Sequence, residues 1–248
     1  MEFWTVLVNK FVEFWTELAD QFNQAFITGD RWLLFTKGLG VTLLVTVFAL
    51  VLGVFLGVFI AIIRTAHDQR QIGRSNPVLS VLNVICKIYI TVIRGTPMMV
   101  QMLIMYFVIF ASSRNMVGVA VLAFGINSGA YVSEIIRGGI MAVDVGQMEA
   151  GRSLGFGYAS TMRLIIIPQA VKIILPALGN ELITLLKETS IVTVIGLKDL
   201  VKQAIAVQAI TYQPFMPLIG IAVIYLALVM LLTWLFGRLE RRLRTSER

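Results

Sequence analysis

Charged side chains are scarce in this chain: 14% of its 248 residues are Asp, Glu, Lys or Arg, against 58% hydrophobic. A water-soluble domain carries about 25% charged residues, so an integral membrane protein is expected. Thiols are scarcer still. The single Cys86 lies in an apolar run, which excludes a disulfide framework and a cysteine-ligated metal; it reads as a small packing residue. The one histidine, His67, sits among charged residues beside the end of an apolar run and reads as a solvated surface group. No metal site is expected. No glycine is followed by lysine anywhere, which excludes the Gly-x4-Gly-Lys-Ser/Thr loop that cradles nucleotide phosphates. The apolar runs also lack the alternation of barrel strands, which leaves helices as the way to satisfy the backbone in lipid.

What the chain does have is apolar length. A helix crosses a bilayer with about 20 apolar residues, and uncharged runs of 26 (38–63), 19 (95–113), 19 (115–133) and 35 (203–237) residues supply it. The expected fold is an all-α integral membrane protein with five transmembrane helices, at about 38–63, 77–113, 116–137, 168–195 and 217–236. The second is too long for one perpendicular crossing, since it would reach roughly 55 Å against a hydrocarbon core of about 30 Å. A bend is expected at Arg94-Gly95-Thr96-Pro97, because Pro97 removes a helical hydrogen bond and clashes with the preceding turn. Gly53 and Gly57, four apart, allow another helix to approach closely. Residues 196–214, GLKDLVKQAIAVQAITYQP, are expected to form a longer loop with helical content.

Residues 1–30 read as a separate segment, with 31–248 as one transmembrane domain. Phe3, Leu7, Phe11, Phe14, Trp15 and Leu18 follow helical spacing, with Lys10, Glu13, Glu17 and Asp20 mostly elsewhere. This predicts an amphipathic helix lying in the membrane interface; the basic start and apolar core of a signal peptide are not seen. The net charge of +7 is spread between the apolar runs. It forms no single basic patch with interleaved aromatics, so a nucleic-acid partner is not expected.

The longest polar, Gly-rich interruption of the second half spans 143–172, VDVGQMEAGRSLGFGYASTMRLIIIPQAVK. Glu149-Ala150-Gly151 is followed after three residues by Gly155 and nine residues later by Ile165-Ile166-Ile167-Pro168. That layout resembles the EAA loop of ABC-importer permeases, with Gly151 in place of the second Ala and Ile167 in place of Leu. The resemblance implies short cytoplasmic helices that dock into a cleft of a separate ATP-hydrolysing subunit. Gly155 and Gly157 are suited to turn the backbone, since glycine accepts positive φ, and Pro168 suits the first turn of the next helix. Two further stretches, IRGTPMMVQMLIMYF around Arg94-Gly95-Thr96-Pro97 and NSGAYVSEIIRGGI after Ile126, resemble the polar amino-acid uptake branch of the same permeases. The resemblance covers about residues 30–240.

Polar groups inside the crossings mark a path or a helix contact, because charge in the membrane costs several kcal/mol unless it pairs or faces water. Asn127, Tyr131 and Glu134 fall at i, i+4 and i+7 on the third crossing. On the fourth, Asn180, Glu181, Thr184, Lys187 and Glu188 share an arc of about 120°, with Leu182, Ile183, Leu185 and Leu186 opposite. An amino acid needs a cation or N–H donors for its carboxylate, which Lys187, Asn180 and Thr184 offer, and an acceptor for its ammonium, which Glu181 or Glu188 offers. Simple ion pairing between helices is the competing use for the same charges.

With the 143–172 loop inside and five crossings, the N-terminus is outside and the C-terminus inside. Inside segments then carry 12 Lys and Arg (Arg64, Arg70, Arg74, Arg137, Arg152, Arg163, Lys172, Arg238, Arg241, Arg242, Arg244, Arg248) and outside segments 6. The excess is on the side that the positive-inside tendency requires. The resemblance implies the permease of an ATP-driven amino-acid importer in the bacterial inner membrane. It works with two ATP-binding subunits, a second permease chain (a copy of itself in preference to a different chain) and an extracytoplasmic solute-binding protein. The chain is not catalytic and binds no cofactor, ATP and Mg being held by the partner ATPase. A permease for another small solute, an ATP-independent carrier or channel, and a plain membrane anchor are the alternatives; no internal repeat of the carrier kind is seen.

Overall fold

The computed structural model describes residues 2–68 and 76–245, and among these there is no strand. Helix α1 (Glu2–Phe22) precedes α2 (Trp32–Asp68), α3 (Pro77–Gly95), α4 (Met98–Ile104) and α5 (Met116–Met141). Next come two short helices, α6 (Val145–Ser153) and α7 (Tyr158–Thr161), then α8 (Ile167–Glu188), α9 (Leu200–Thr211) and α10 (Phe215–Thr245). Among the described residues five stretches are long and apolar enough to cross a membrane: Trp32–Asp68, Pro77–Gly95, Met116–Met141, Tyr158–Ile195 and Phe215–Arg242.

The expected bend is there, with α3 ending at Gly95 and α4 starting at Met98. Several ends differ from the sequence expectation. The first crossing is a 37-residue helix, because Thr36, Lys37 and Arg64 interrupt hydrophobicity but not helical geometry. The last runs on to Thr245 through a tail of Arg, Leu and Glu, all good helix formers. The α-geometry of the fourth stops at Glu188 and tightens to a 3-10 turn, Thr189–Ile195, which Gly196 closes at φ 83°. The stretch between the last two crossings contains α9, as expected. Its cap, Asp199, is buried and accepts from the Lys202 and Val201 N–H groups at 2.9 and 3.2 Å and from the Thr193 hydroxyl at 2.7 Å. Burial pushes its carboxyl up from the ordinary range, and these hydrogen bonds pull it back.

Helices α2 and α5 form the centre and run parallel, for Gly53 faces Ser128 and, four residues on, Gly57 faces Val132. Gly125 and Gly129 of α5 reciprocate against Leu52 and Leu56. A Cβ at position 57 would lie 2.5 Å from the Val132 Cγ1 and 2.9 Å from the Ser133 backbone nitrogen, so the glycine is required by the approach. Gly57→Ile is therefore expected to cost about 1–3 kcal/mol by overpacking, read as a lower Tm in detergent; an unchanged Tm would contradict so close an approach.

The α3–α4 arm returns the chain between these parallel helices. Helix α8 runs antiparallel to α5, with Gly139 against Ile174 at one end and Ser128 bonded to Glu181 farther along. On α8 packs α10, Phe236 lying over Gly179. At the start of α2, Gly38 abuts the Asp199 carbonyl and the Leu200 N–H donates to the Thr42 hydroxyl at 3.2 Å. The α9 segment thus caps the end of the bundle opposite α6. Cys86 is buried and free beside Ile60, Ile90 and Ala130, the packing role expected of it. Helix α1 leaves this end through a turn with Gly29 and Asp30 at φ 65° and 52°, and its Phe and Trp side chains are uncovered.

Candidate docking and substrate-path sites

The polar interruption is a helical elbow standing off the end of α5. The Asp144 carboxylate starts α6 by accepting from the Gly146 N–H at 2.6 Å. On α6, Glu149 and Ala150 point outward and Gly151 points in. A Cβ on Gly151 would meet the fully buried Thr161 methyl at 2.5 Å, so the glycine standing in the second Ala position is fixed by the threonine behind it. The chain reverses at Gly155, φ 85°, and the Phe156 N–H bonds the Gly151 carbonyl at 3.0 Å. Gly157 does not share this role: at φ −69° and ψ 161° it is extended, a conformation open to any residue. From Tyr158 the chain is helical without a break, through α7 and a wide π turn (Met162–Ile166) into α8, where Pro168 occupies the first turn. Leu154 at the elbow's tip is 75% exposed and Val145 72%, an apolar crest beside an acidic side chain.

At mid-bundle the α3–α4 break and α5 share a polar seam. Gln101 donates to the Ile93 carbonyl at 2.7 Å and to the Thr96 hydroxyl at 2.8 Å, spanning the break at Arg94-Gly95-Thr96-Pro97. Asn127, buried, donates to the Gln101 side-chain oxygen at 2.9 Å. The Arg94 guanidinium lies 5.0 Å from the centre of the Tyr131 ring. Next to Asn127, the Ser128 hydroxyl donates to the Glu181 carboxylate at 2.8 Å. So Arg94, Asn127, Tyr131 and Gln101 meet where the α3–α4 break lies on α5, and Glu181 of α8 reaches the adjoining Ser128 of the same α5 turn. Gln101 and Ser128 are the members that sequence reasoning passed over. Gln101 had a visible signal, as the one strongly polar side chain in MMVQMLIMYF after Pro97.

The rest of the α8 arc stays open. Asn180, Thr184 and Lys187 are exposed on one side of α8, Glu188 is half-buried, and Leu185 and Leu186 opposite are buried. In this single chain, then, a polar strip of a membrane helix is left uncovered.

Glu134 departs from the expected face of α5. It pairs with Arg64 of α2 and with Arg137 at 3.1 Å, and Arg137 reaches Asp68 at 3.8 Å. His67 is half-buried beside Asp68 at 3.5 Å, not the solvated surface group expected. These charges clamp the end of α2 to the last two turns of α5. Arg70, Arg74 and Arg248, counted in the charge balance, lie outside the described residues. Arg64 and Glu134 are only 12% and 23% exposed, so Glu134→Ala leaves two arginines facing each other. Breaking a fully buried pair costs about 3–5 kcal/mol; at this exposure about 2 kcal/mol is expected. A Tm series on Arg64→Ala, Glu134→Ala and the Arg64→Ala/Glu134→Ala double variant checks it, the double being less destabilised than the sum of the singles.

The family model described as binding-protein-dependent transport system inner membrane component matches residues 78–245. The arginine transport system permease protein of Bacillus subtilis is 45% identical over 166 residues, covering 66% of this chain and 76% of that protein. A putative glutamine transport system permease protein of Rickettsia bellii is 40% identical over 188 residues, 68% of this chain and 84% of that one. A solved amino acid ABC transporter, crystallised with histidines, superposes at TM-score 0.76 with 46% identity, over 84% of this chain and 94% of its own.

Proposed function

Since the chain belongs to the family of binding-protein-dependent transport system inner membrane components, we propose that it carries polar amino acids through the bacterial inner membrane, driven by ATP hydrolysis on separate subunits. The observation that carries the amino-acid reading is the seam at mid-bundle. A guanidinium, Arg94, a carboxylate, Glu181, and the Asn127 and Gln101 amides all engage the same two turns of α5, Asn127 to Tyr131, within an apolar span. A zwitterion offers the complementary pair, a carboxylate for Arg94 or Lys187 and an ammonium for Glu181 or Glu188. Relatives named for arginine and glutamine transport support this substrate class.

The open strip of Asn180, Thr184 and Lys187 faces a second permease chain, a copy of this one in preference to a different chain, with the path between them. Glu149, Ala150, Gly151, Gly155 and Pro168 form the elbow by which each permease chain seats in one of two ATP-binding subunits on the cytoplasmic side. Closure of that pair moves the elbows, and the rigid rod from Tyr158 through α8 passes the motion to the polar seam. Two bundle shapes, one open to each side, suffice for alternating access. An extracytoplasmic solute-binding protein delivers the amino acid at the α9 end, where α1 lies in the membrane interface.

The test is ATP hydrolysis by the permease co-purified with its ATPase in lipid, with and without binding protein loaded from a panel of amino acids. Stimulation by one loaded binding protein supports the reading and names the substrate. A chain that captures no ATPase, yet moves solute down an ion gradient in vesicles, is a carrier, and the docking role of the elbow then falls.

A further inference from the structure

We propose that the end of α10 holds the headgroup of an anionic phospholipid against Trp234, Arg238, Arg241 and Arg242. These four side chains line one cleft of about 470 Å³ on the outer side of the helix. The Arg238 guanidinium lies 5.3 Å from the Trp234 ring centre, which holds the cation on the indole face. The spacing i, i+4, i+7 and i+8 puts all four on one face, and each is exposed.

What lies along the same face toward the middle of the helix identifies the occupant. Val223, Leu226 and Met230 are exposed in line with Trp234, while Phe236, on the opposite side, packs over Gly179 of α8. An uninterrupted apolar stripe therefore faces outward along the crossing, ends in an indole, and is followed over the next two turns by cations. That order matches the layers of a bilayer leaflet: hydrocarbon, the interfacial level that Trp favours, then phosphate. Three arginines present planar forks that suit phosphate oxygens better than lysine would. Each basic group near an anionic surface favours the anionic lipid by about fivefold. A protein partner would not require the apolar stripe to grade into cations at headgroup depth; a lipid does.

Native mass spectrometry of the complete transporter, taken from nanodiscs of equal parts phosphatidylglycerol and phosphatidylcholine, reads the preference directly. The wild type is expected to retain phosphatidylglycerol at least about tenfold over phosphatidylcholine, and Arg238→Gln/Arg242→Gln to lose most of that excess, with Arg238→Lys/Arg242→Lys in between. Equal retention by wild type and the Gln variant overturns the proposal. So does displacement of the lipid by millimolar inorganic phosphate, which would make this a soluble-anion site. Loss of the co-purifying ATPase from the Gln variant with lipid retention unchanged also overturns it, because the arginines would then be a protein contact. A second measurement does not depend on the arginine variants folding. With Trp4, Trp15 and Trp32 replaced by Phe, Trp234 is the only indole left, and brominated phosphatidylglycerol should quench it several-fold more than brominated phosphatidylcholine. Equal quenching by the two lipids refutes a selective site.

Discussion

A Glu149→Lys permease is expected to lose at least nine-tenths of its transport and of its ATPase stimulation while remaining folded in the membrane. Glu149 is exposed on α6, and among the described residues its carboxylate has no hydrogen-bond or ion-pair partner, while its backbone carbonyl accepts from the Ser153 hydroxyl at 3.0 Å. Reversing its charge therefore breaks no contact of its side chain within the bundle. If the elbow seats in a cleft of the ATPase, the reversal places a cation where an anion is received. Like-charge juxtaposition at an interface costs several kcal/mol, and about 1.4 kcal/mol is already tenfold in affinity. Gly155→Asp should act by a different route. Position 155 holds φ 85°, and an aspartate there strains the reversal between α6 and α7 without meeting any neighbour. The elbow would then be misshapen rather than mischarged, and raising the ATPase concentration should rescue Glu149→Lys better than Gly155→Asp. Two measurements decide the matter: ATPase capture on an affinity resin, and the Tm of the permease alone. A Glu149→Lys protein with normal capture removes the elbow from the coupling path. One that has vanished from the membrane would show that Glu149 serves folding.

The elbow and the crossings were legible in the sequence because both rest on local signals. Uncharged apolar length located the first, third and last crossings, and Pro97 located the break between α3 and α4. The spacing from Glu149 to Pro168 located the elbow, and Gly155 turns there as its residue type suggests. What stayed hidden depends on contacts far apart in the chain. Gly53 and Gly57 announced a close approach, but nothing local said that α5 would be the partner and parallel. Glu134 shares a helical face with Asn127 and Tyr131 by arithmetic, yet Arg64, 70 residues earlier, takes it into an ion cluster. The substitution at Gly151 looked like a tolerated exchange of one small residue for another. The packing of Thr161 makes it obligatory, and no spacing rule carries that information. Ser128 was passed over for the same reason, since a serine in a membrane helix acquires meaning only when Glu181 of α8 is placed beside it.

Glu181 is where substrate selection should be most sensitive. Its carboxylate sits within an apolar crossing, half-buried, and accepts a hydrogen bond from Ser128. Two roles compete for it: tying α8 to α5, or receiving the positive end of the solute. They separate under substitution. Glu181→Gln retains an oxygen that accepts from Ser128 and removes only the charge, whereas Ser128→Ala removes the helix contact and spares the charge. If Glu181 receives the solute, Glu181→Gln should keep its Tm and lower uptake by about 30-fold or more, since losing one partner of a desolvated ion pair costs about 2–5 kcal/mol. Ser128→Ala should lose about 1 kcal/mol of stability, the net worth of one hydrogen bond, with uptake little changed. The loss in Glu181→Gln should be larger for a solute with a cationic side chain than for a neutral one if the carboxylate meets the side chain, and equal for both if it meets the α-ammonium. Lys187→Ala, on the open strip, is expected to weaken uptake without lowering Tm, since Lys187 is exposed. Full uptake in both Glu181→Gln and Lys187→Ala would move the path away from α8, leaving the Arg94 and Tyr131 side of the seam as its wall.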